Sequence, residues 1–502
     1  MEGGKIMVEK ILMAELDSVL TKRGFIWGPY PEIYGGASGF YSLGPQGKLL
    51  KNNTVNIIRK IYYANGFGEI ETPIISPRIV WEASGHLERF VDPVSECEKC
   101  KNIYRTDKLI EEFEPELTTS SASIESLNQI IIEKGIKCPK CGGNLLCSTN
   151  YNLMQKTFIG NLTEAYLRPE TATGTYVLFK NLLNDNRKKL PIKVFQTGRA
   201  FRNEISPRQG FLRLREFDQF EAQIFTLHKQ QFEIDEFEQI KEEVIPLVPS
   251  KNQMDGNENV IYLSCKDAID KSIIKKQIYT YCFYLTKKII KTIGFKDGEF
   301  RYRQHLPDEK AHYAEDAWDL ECLSKKYGWI EVCGVHDRGN FDLSRHNKFS
   351  NEKMTIQIDD KEELPVIFEI AFGIERLVYL MLEKSFKIDE KYNRTLLELP
   401  LNLAPITVGI LPLLKNNEKL VMIAKNIYNT CLKKGLICFY DDIGSIGKRY
   451  RRLDEIGTPF CITVDHETIE TNTVTIRERD STLQKRVDMS DVWNYIENKQ
   501  KE

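Results

Sequence analysis

Apolar residues recur at helical spacing over residues 8–22, and Arg23-Gly24 supplies the stop. The next stretch, GPYPEIYGGASGFYSLGPQGKLL, is dense in Gly, Pro and aromatics, which fits a structured loop or short hairpin better than a linker. Residues 48–65 predict an amphipathic helix ending at Asn65-Gly66. FGEIETPIIS then reads as a strand interrupted by Pro73, which has no N–H for a ladder and belongs at an edge or bulge. Segment 91–150 is polar and holds two cysteine pairs, and the main pattern resumes at YNLMQKTFIG. Strand-like runs fill 192–225, and helical spacing is expected over 229–245 and 266–293, around the polar loop SKNQMDGNEN. Strands return with GWIEVCGVHDRG and LPVIFEIAFG, the last running directly into the helix IERLVYLMLEKSF. After Pro400, ITVGILPL, a helix at 416–434, LICFYDD, PFCITVD and NTVTIRERD alternate strand and helix, the pattern of a separate α/β domain of about 100 residues.

Composition narrows this little. At 502 residues the chain exceeds one comfortable core, so two or more domains are expected. A net charge of −2, from 70 Lys plus Arg against 72 Asp plus Glu, advertises no nucleic-acid partner, although a basic patch fits within a balanced total. No apolar run approaches the ~20 residues of a membrane span and no signal-peptide segment opens the chain, so a cytoplasmic protein without membrane contact is expected. The cysteines read as those of a reducing compartment with one metal site, since only four of the 12 are paired as C-x2-C.

The stretch FRNEISPRQGFLRLREFDQFEAQIF, residues 201–225, carries more charge than a core strand tolerates. Read as two strands and a turn, it places Arg202 and Glu204 on one face of the first strand. On the second strand, Arg213, Phe217 and Glu221 lie four apart on one face, with Leu212, Leu214 and Phe220 opposite; SPRQG is the turn. Fixed cations, a flat ring and a carboxylate along one line suit a triphosphate, a purine and an ammonium. The alternative is a solvated sheet face laced by salt bridges. In FEIAFGIER, a strand carrying Glu369 leads through Gly373 into a helix whose first turn holds Arg376. That position opposes the macrodipole unless an anion or base sits there, or the arginine simply faces solvent. Cys97-x2-Cys100 and Cys138-x2-Cys141, 37 residues apart, place two pairs of thiolates within reach of one tetrahedral Zn²⁺; four free thiols are the alternative, and Cys147 lacks a partner at that spacing.

The helix–strand ending in proline, the RxE–loop–RxxxFxxxE hairpin and the G-x-E-R strand–helix, in this order, resemble the three signature motifs of class II aminoacyl-tRNA synthetases. RGFIWGPYPEIYGGASGFYSLGPQGKLLKNN, YNLMQKTFIG, LRPETATGTY, RYRQHLPDEKAHYAEDAWD and GKRYRRLDEIGTPFCITVD are similar to the dimeric, eukaryote/archaeal-type glycyl-tRNA synthetases over residues 10 to 490. The resemblance implies an α/β (α+β) fold: an antiparallel sheet flanked by helices, a zinc-ribbon-like insertion, a helical insertion and a C-terminal α/β anticodon-binding domain. The expected boundaries are 1–90, 151–225 and 301–402 for the catalytic parts bearing the three motifs, 91–150 for the zinc insertion, 226–300 for the helical insertion and 403–502 for the anticodon-binding domain.

The implied reaction joins glycine to the 3′ end of tRNA(Gly) through a glycyl-adenylate made from ATP with Mg²⁺, in a homodimer. By resemblance, Arg202 would hold the α-phosphate and the amino-acid carboxylate, and Arg213 the γ-phosphate. Phe217 and Arg376 would sandwich adenine, and Glu204 would contact adenine or order Arg202. Glu170 and Glu221 would face the ammonium, and Glu369 would bind Mg²⁺ or orient that ammonium. One departure stands out. The family usually has Pro-Ser where this chain has Ile370 and Ala371, so a hydroxyl near the glycine amine is missing and weaker glycine binding, offset by Glu170 and Glu221, is expected. Lys448, Arg449, Arg451 and Arg452, interleaved with Tyr450, resemble the anticodon-binding surface, though a basic run alone is more often a solvated face. A structural Zn²⁺ module placed after the first motif is a candidate contact for the tRNA acceptor arm. Two rivals are set aside on residues: a non-catalytic polymerase accessory subunit would have lost the ATP set, and a serine, proline, threonine or histidine synthetase would lack the Glu170/Glu221 pair.

Overall fold

The computed structural model describes residues 2–501 apart from 118, 120, 121, 206, 208, 209 and 312, without the side chains of 2–11, 500 and 501. Of the SPRQG turn, Ser206, Arg208 and Gln209 therefore lie outside the described residues, as does His312.

Nine strands form the central sheet: β1 (Gly68–Glu69), β2 (Ile192–Phe201), β3 (Glu216–Thr226), β4 (Val244–Val248), β5 (Ile261–Ser264), β6 (Phe300–Gln304), β7 (Asp316–Ser324), β8 (Gly328–Gly339) and β9 (Val366–Gly373). Their spatial order is β5-β4-β6-β7-β8-β9-β3-β2-β1, antiparallel except for β4–β6 and β1–β2. Alternation splits this sheet into two chemistries. Phe220, Ala222 and Ile224 of β3 and Phe368, Ile370 and Phe372 of β9 enter one apolar core. The residues between them, Phe217, Gln219 and Glu221 with Glu369, Ala371 and Gly373, face a cleft on the other side.

Three helices contribute to the apolar core: α1 (Pro45–Ala64), α2 (Gln277–Ile293) and α3 (Ile374–Ser385). In α1, Leu50, Thr54, Ile58 and Ile61 recur at helical spacing and are buried, and Pro45 occupies the first turn, where its missing N–H costs nothing. Tyr62 stacks with Phe195 and Phe220 at centroid separations of 5.4 and 5.5 Å, and those two rings stack on each other at 5.1 Å. Segment 226–300 differs from the two helices expected of it. Two short helical turns, Lys229–Gln231 and Phe237–Ile240, form in the first stretch, which ends in β4; the second divides into Cys265–Asp270 and α2. Strands β4 and β5 extend the main sheet, and α2 buries Ile278, Cys282, Phe283, Leu285, Ile289 and Ile293 in the common core. At roughly 1.5–3 kcal/mol per buried large side chain, that face makes the segment integral to the catalytic core.

The cysteine segment folds on its own small core. Val91–Glu96 pairs with Ile103–Arg105 and Thr149–Asn152, and the helices Thr106–Phe113 and Ile124–Glu133 bury Leu109, Ile110, Leu127 and Ile131. After residue 400 a five-stranded sheet, centred on Val408–Pro412 and Phe460–Val464, carries the helices Glu418–Lys433 and Ile446–Ile456. It docks on the hairpin Phe386–Asp389/Arg394–Leu397 through Asp454. This carboxylate accepts from Arg394 at 2.8 Å and from Arg477 at 2.8 and 2.9 Å, all buried. Among the described residues, no helix is long and apolar enough to cross a membrane.

Candidate active site

The cleft, with a cavity volume of about 150 Å³, is lined by Glu170, Arg202, Glu204, Arg213, Phe217, Glu221, Glu369, Ala371 and Arg376, so every ATP- and glycine-site residue expected from sequence meets here. Strand register does much of this. Glu221 lies opposite Ala371, and Gln219 opposite Gly373, so the second and third motifs are adjacent strands of one sheet. Phe217 and Glu221 share a face about 13 Å apart along β3.

One expectation of local structure is corrected. The strand pair ends at Phe201↔Glu216, so Arg202, Glu204 and Arg213 lie in the connecting loop rather than on strands. Alternation cannot orient them there, and specific bonds do so instead. Arg215 donates to the carbonyls of Glu204 and Ser38, and the Gly210–Leu212 turn brings Arg213 back to Glu204, 2.7 Å away. Glu204 therefore holds Arg213 and has no ion pair with Arg202. Arg202 lies over Phe217, with 5.3 Å from guanidinium carbon to ring centroid, and donates to Pro169 O. Arg376 is not free to solvent at the helix start: it donates to Leu212 O and pairs with Glu331 at 3.0 Å. Its neighbour Glu375 is buried and bonds Lys51 of α1 at 2.5 Å, while Lys51 also reaches Asp218 at 2.5 Å. This buried triad ties the first, second and third motifs together. Burial and Asp218 raise the Glu375 pKa against the pull of Lys51.

Three buried carboxylates form the other end of the cleft. Glu170 accepts from Thr173 at 2.7 Å and lies 3.5 Å from His86. Glu369 accepts from Tyr176 at 2.5 Å, from Arg338 at 3.1 and 3.2 Å, and pairs with His336 at 3.1 Å. Arg338 is itself gripped by Asp342 at 2.8 and 3.0 Å. Burial works to raise both pKa values, but His86, Arg338 and Thr173 hold Glu170 well below the usual carboxylate range, and Arg338 and His336 hold Glu369 below it. Among the described residues, Glu221 accepts only from the Thr171 hydroxyl, at 2.5 Å. Burial, then Glu369 and Glu170, push its pKa up to about 8. Both oxygens of Glu369 are engaged, by Tyr176, Arg338 and His336. The exposed carboxylate beside the arginines is Glu331.

Sequence reasoning left Glu331, Gly334, His336, Arg338, Gln219 and Tyr313 without roles. The same alternation that marked β3 would have found part of this set, since Gly334, His336 and Arg338 fall at every second position of β8. Tyr313 comes from a loop, and only the fold brings it there, against Arg338 at 3.8 Å. Gly198 serves a close approach: a Cβ there would lie 2.2 Å from Arg168, whose guanidinium crosses it to bind the Thr72 carbonyl.

Cys97, Cys100, Cys138 and Cys141 gather with all sulfurs within 4.8 Å of one another. Cys97–Cys141 and Cys100–Cys138 separations of 3.5 and 3.6 Å approach the ~3.8 Å sulfur–sulfur edge of a zinc–thiolate tetrahedron. Gly143 fits the cradle, because a Cβ there would lie 3.1 Å from the Cys97 sulfur. The donor set and spacing fit a structural ion, and Cys147, exposed, stands outside the cluster. In the C-terminal domain the basic run divides. Arg449 is buried and donates to the Pro412 and Gly444 carbonyls, and Arg452 pairs with Asp441. Both hold the domain together, and Lys448 and Arg451 are the exposed pair.

Residues 156–385 match the tRNA synthetase class II core domain (G, H, P, S and T), and 407–499 match an anticodon binding domain. The glycine–tRNA ligase of Thermococcus sibiricus is 40% identical over 97% of this chain and 98% of its own length. Those of Methanococcus maripaludis and Methanocaldococcus jannaschii are 38% and 37% identical over 96% and 99% of this chain. The fold is shared with Giardia lamblia prolyl-tRNA synthetase in complex with prolyl-adenylate, at a TM-score of 0.60 and 16% identity, over 96% of this chain and 75% of the other.

Proposed function

This chain belongs to the glycine–tRNA ligase family of class II tRNA synthetases, and on that premise we propose that the cleft joins ATP and glycine through the residues gathered on β3, β8 and β9. The enzyme activates glycine with ATP and transfers it to tRNA. The observation that supports the site reading is the register Glu221↔Ala371, which puts these two residues on the sheet face that also carries Phe217.

In this reading Arg202 spans the α-phosphate and the glycine carboxylate, which is itself the nucleophile, so no covalent enzyme intermediate is needed. Arg213, steadied by Glu204, receives the γ-phosphate. Both neutralise charge that grows as the carboxylate oxygen bonds to phosphorus and pyrophosphate departs. Phe217 stacks adenine and Arg376 covers its other face, a role that Glu331 and the Leu212 carbonyl prepare by fixing the guanidinium. Mg²⁺ bound with ATP would supply shielding of the phosphate charge, and Glu331, beside the arginines, is the residue that would hold it. Glu170 and Glu221 face the ammonium, Glu369 orients the groups around it, and crowding there rejects a substrate bearing a side chain. In the second step the terminal hydroxyl of tRNA attacks the adenylate carbonyl and releases AMP.

The thiolate cluster would hold Zn²⁺ and fix the small module, which leans on the loop of the second motif through a 2.8 Å bond from Asn203 N–H to Leu153 O. The C-terminal domain would present Lys448 and Arg451 to the anticodon. A homodimer would use the surface near Pro73, where Ile74, Ile75, Ile79, Phe158 and Leu162 are exposed.

Separate Michaelis constants in glycine-dependent ATP–pyrophosphate exchange test the assignment. Glu170→Gln raises KM for glycine and Arg213→Ala raises KM for ATP, each by about tenfold or more. A variant that moves the other substrate's KM instead refutes its placement.

A further inference from the structure

His336 sits beside the position where the glycine amine is expected. It lies on β8, directly across from Glu369 on β9, and the next pair on the same face is Gly334↔Ala371. Its imidazole folds over Gly334. A Cβ at 334 would lie 2.6 Å from Cε1 and 2.8 Å from Nε2, so the glycine is what allows the ring to lie there. This places the Cε1–Nε2 edge beside Ala371, in a cleft that His336, Gly334 and Ala371 line together with Glu170 and Glu221.

The tautomer follows from the partner. Nδ1 is 3.1 Å from Glu369 Oε1, and that carboxylate also receives Arg338 and Tyr176, so it is ionised and only accepts. Nδ1 therefore donates, and in the neutral ring Nε2 is left with a lone pair directed into the cleft. An ammonium has three N–H donors to place. Glu170 and Glu221 supply carboxylate oxygens for two of them. Ala371, at the centre of the floor, has no polar atom in its side chain.

We propose that His336 Nε2 is the third acceptor for the glycine ammonium, with Glu369, Arg338 and Asp342 acting as positioning residues that lock the ring. The ring's bulk over Gly334 also narrows the space beside Cα of the substrate. This rests on the reading of the cleft as the glycine site.

The pair His336→Asn and His336→Gln separates binding from support. Asn keeps a donor near Nδ1 for Glu369 but has nothing at Nε2, whereas Gln places an acceptor near Nε2. In glycine-dependent pyrophosphate exchange, His336→Asn raises KM for glycine about tenfold and leaves KM for ATP within about twofold. Adding Ala371→Ser to His336→Asn, which returns a hydroxyl to the floor, recovers most of that loss. Glycine KM unchanged in His336→Asn, equal rises for glycine and ATP, or no recovery with Ala371→Ser would each overturn the proposal. If His336→Asn does not fold, His336→Gln decides: glycine KM near wild type supports it and a tenfold rise overturns it. Failure of the site reading looks different, because then Glu170→Gln leaves glycine KM unmoved as well.

Discussion

Glu221 is the residue whose state most depends on what occupies the cleft. Two ionised neighbours and burial push its pKa to about 8, so near neutral pH the ligand-free enzyme holds a proton there. An ammonium bound beside it reverses the balance and favours the carboxylate. The sign follows: below about pH 8 glycine binding must release a proton, so apparent affinity for glycine rises with pH through this range. KM for glycine is expected to fall by up to about tenfold per pH unit between roughly pH 6 and 8, and Glu221→Gln flattens that slope. A slope unchanged in the Gln variant assigns the titration elsewhere. At this scale the sequence was informative where alternation governs, at Phe217, Glu221, Glu369 and Ala371. It set Glu204 beside Arg202 or adenine, and the partner in the structure is Arg213, because loop bonds, and not strand periodicity, orient both. Ala371→Ser alone should change glycine KM little, since the adjacent imidazole already offers an acceptor.

At the scale of elements, the motifs cooperate through one buried ion triad. Lys51 on α1, Asp218 on β3 and Glu375 at the start of α3 meet within 2.5 Å contacts, so the three motifs cannot shift independently. Lys51→Met leaves buried Glu375 without its cation and Asp218 with Arg199 alone, and should cost about 3–5 kcal/mol in denaturant unfolding. The apolar period predicted α1, α3, β8 and β9 closely, because each packs one face on a common core. It misread 229–245, which makes only short helical turns before running into VIPLV at 244–248; a short, fully apolar run of this kind looks alike as buried strand or helix until the sheet edge that claims it is known. The cysteine module was legible from spacing alone. Cys100→Ser should abolish a stoichiometry of about one metal ion per chain by elemental analysis and expose residues 91–150 to protease. Metal content unchanged in that variant would contradict the four-thiolate site.

The whole molecule is a catalytic core with an anticodon-binding domain clamped to it by buried charge. Asp454 neutralises Arg394 of the core and Arg477 of its own domain, and Arg479 reaches back to the Leu399 carbonyl. Asp454→Ala leaves Arg477 without its carboxylate and Arg394 with Asp389 alone, and tRNA charging should fall far more than glycine-dependent pyrophosphate exchange, since exchange uses the core alone. Basic residues in that domain were over-read from sequence because composition does not separate an arginine that binds carbonyls from one that faces a phosphate. Arg449 does the former. Amino-acid-dependent ATP–pyrophosphate exchange by the full chain, compared across glycine, alanine, serine, proline, threonine and histidine, tests the central claim most directly. The predicted result is exchange with glycine, with every larger amino acid weaker by two orders of magnitude or roughly that. Exchange with any of the others above glycine, or none with glycine, would contradict it.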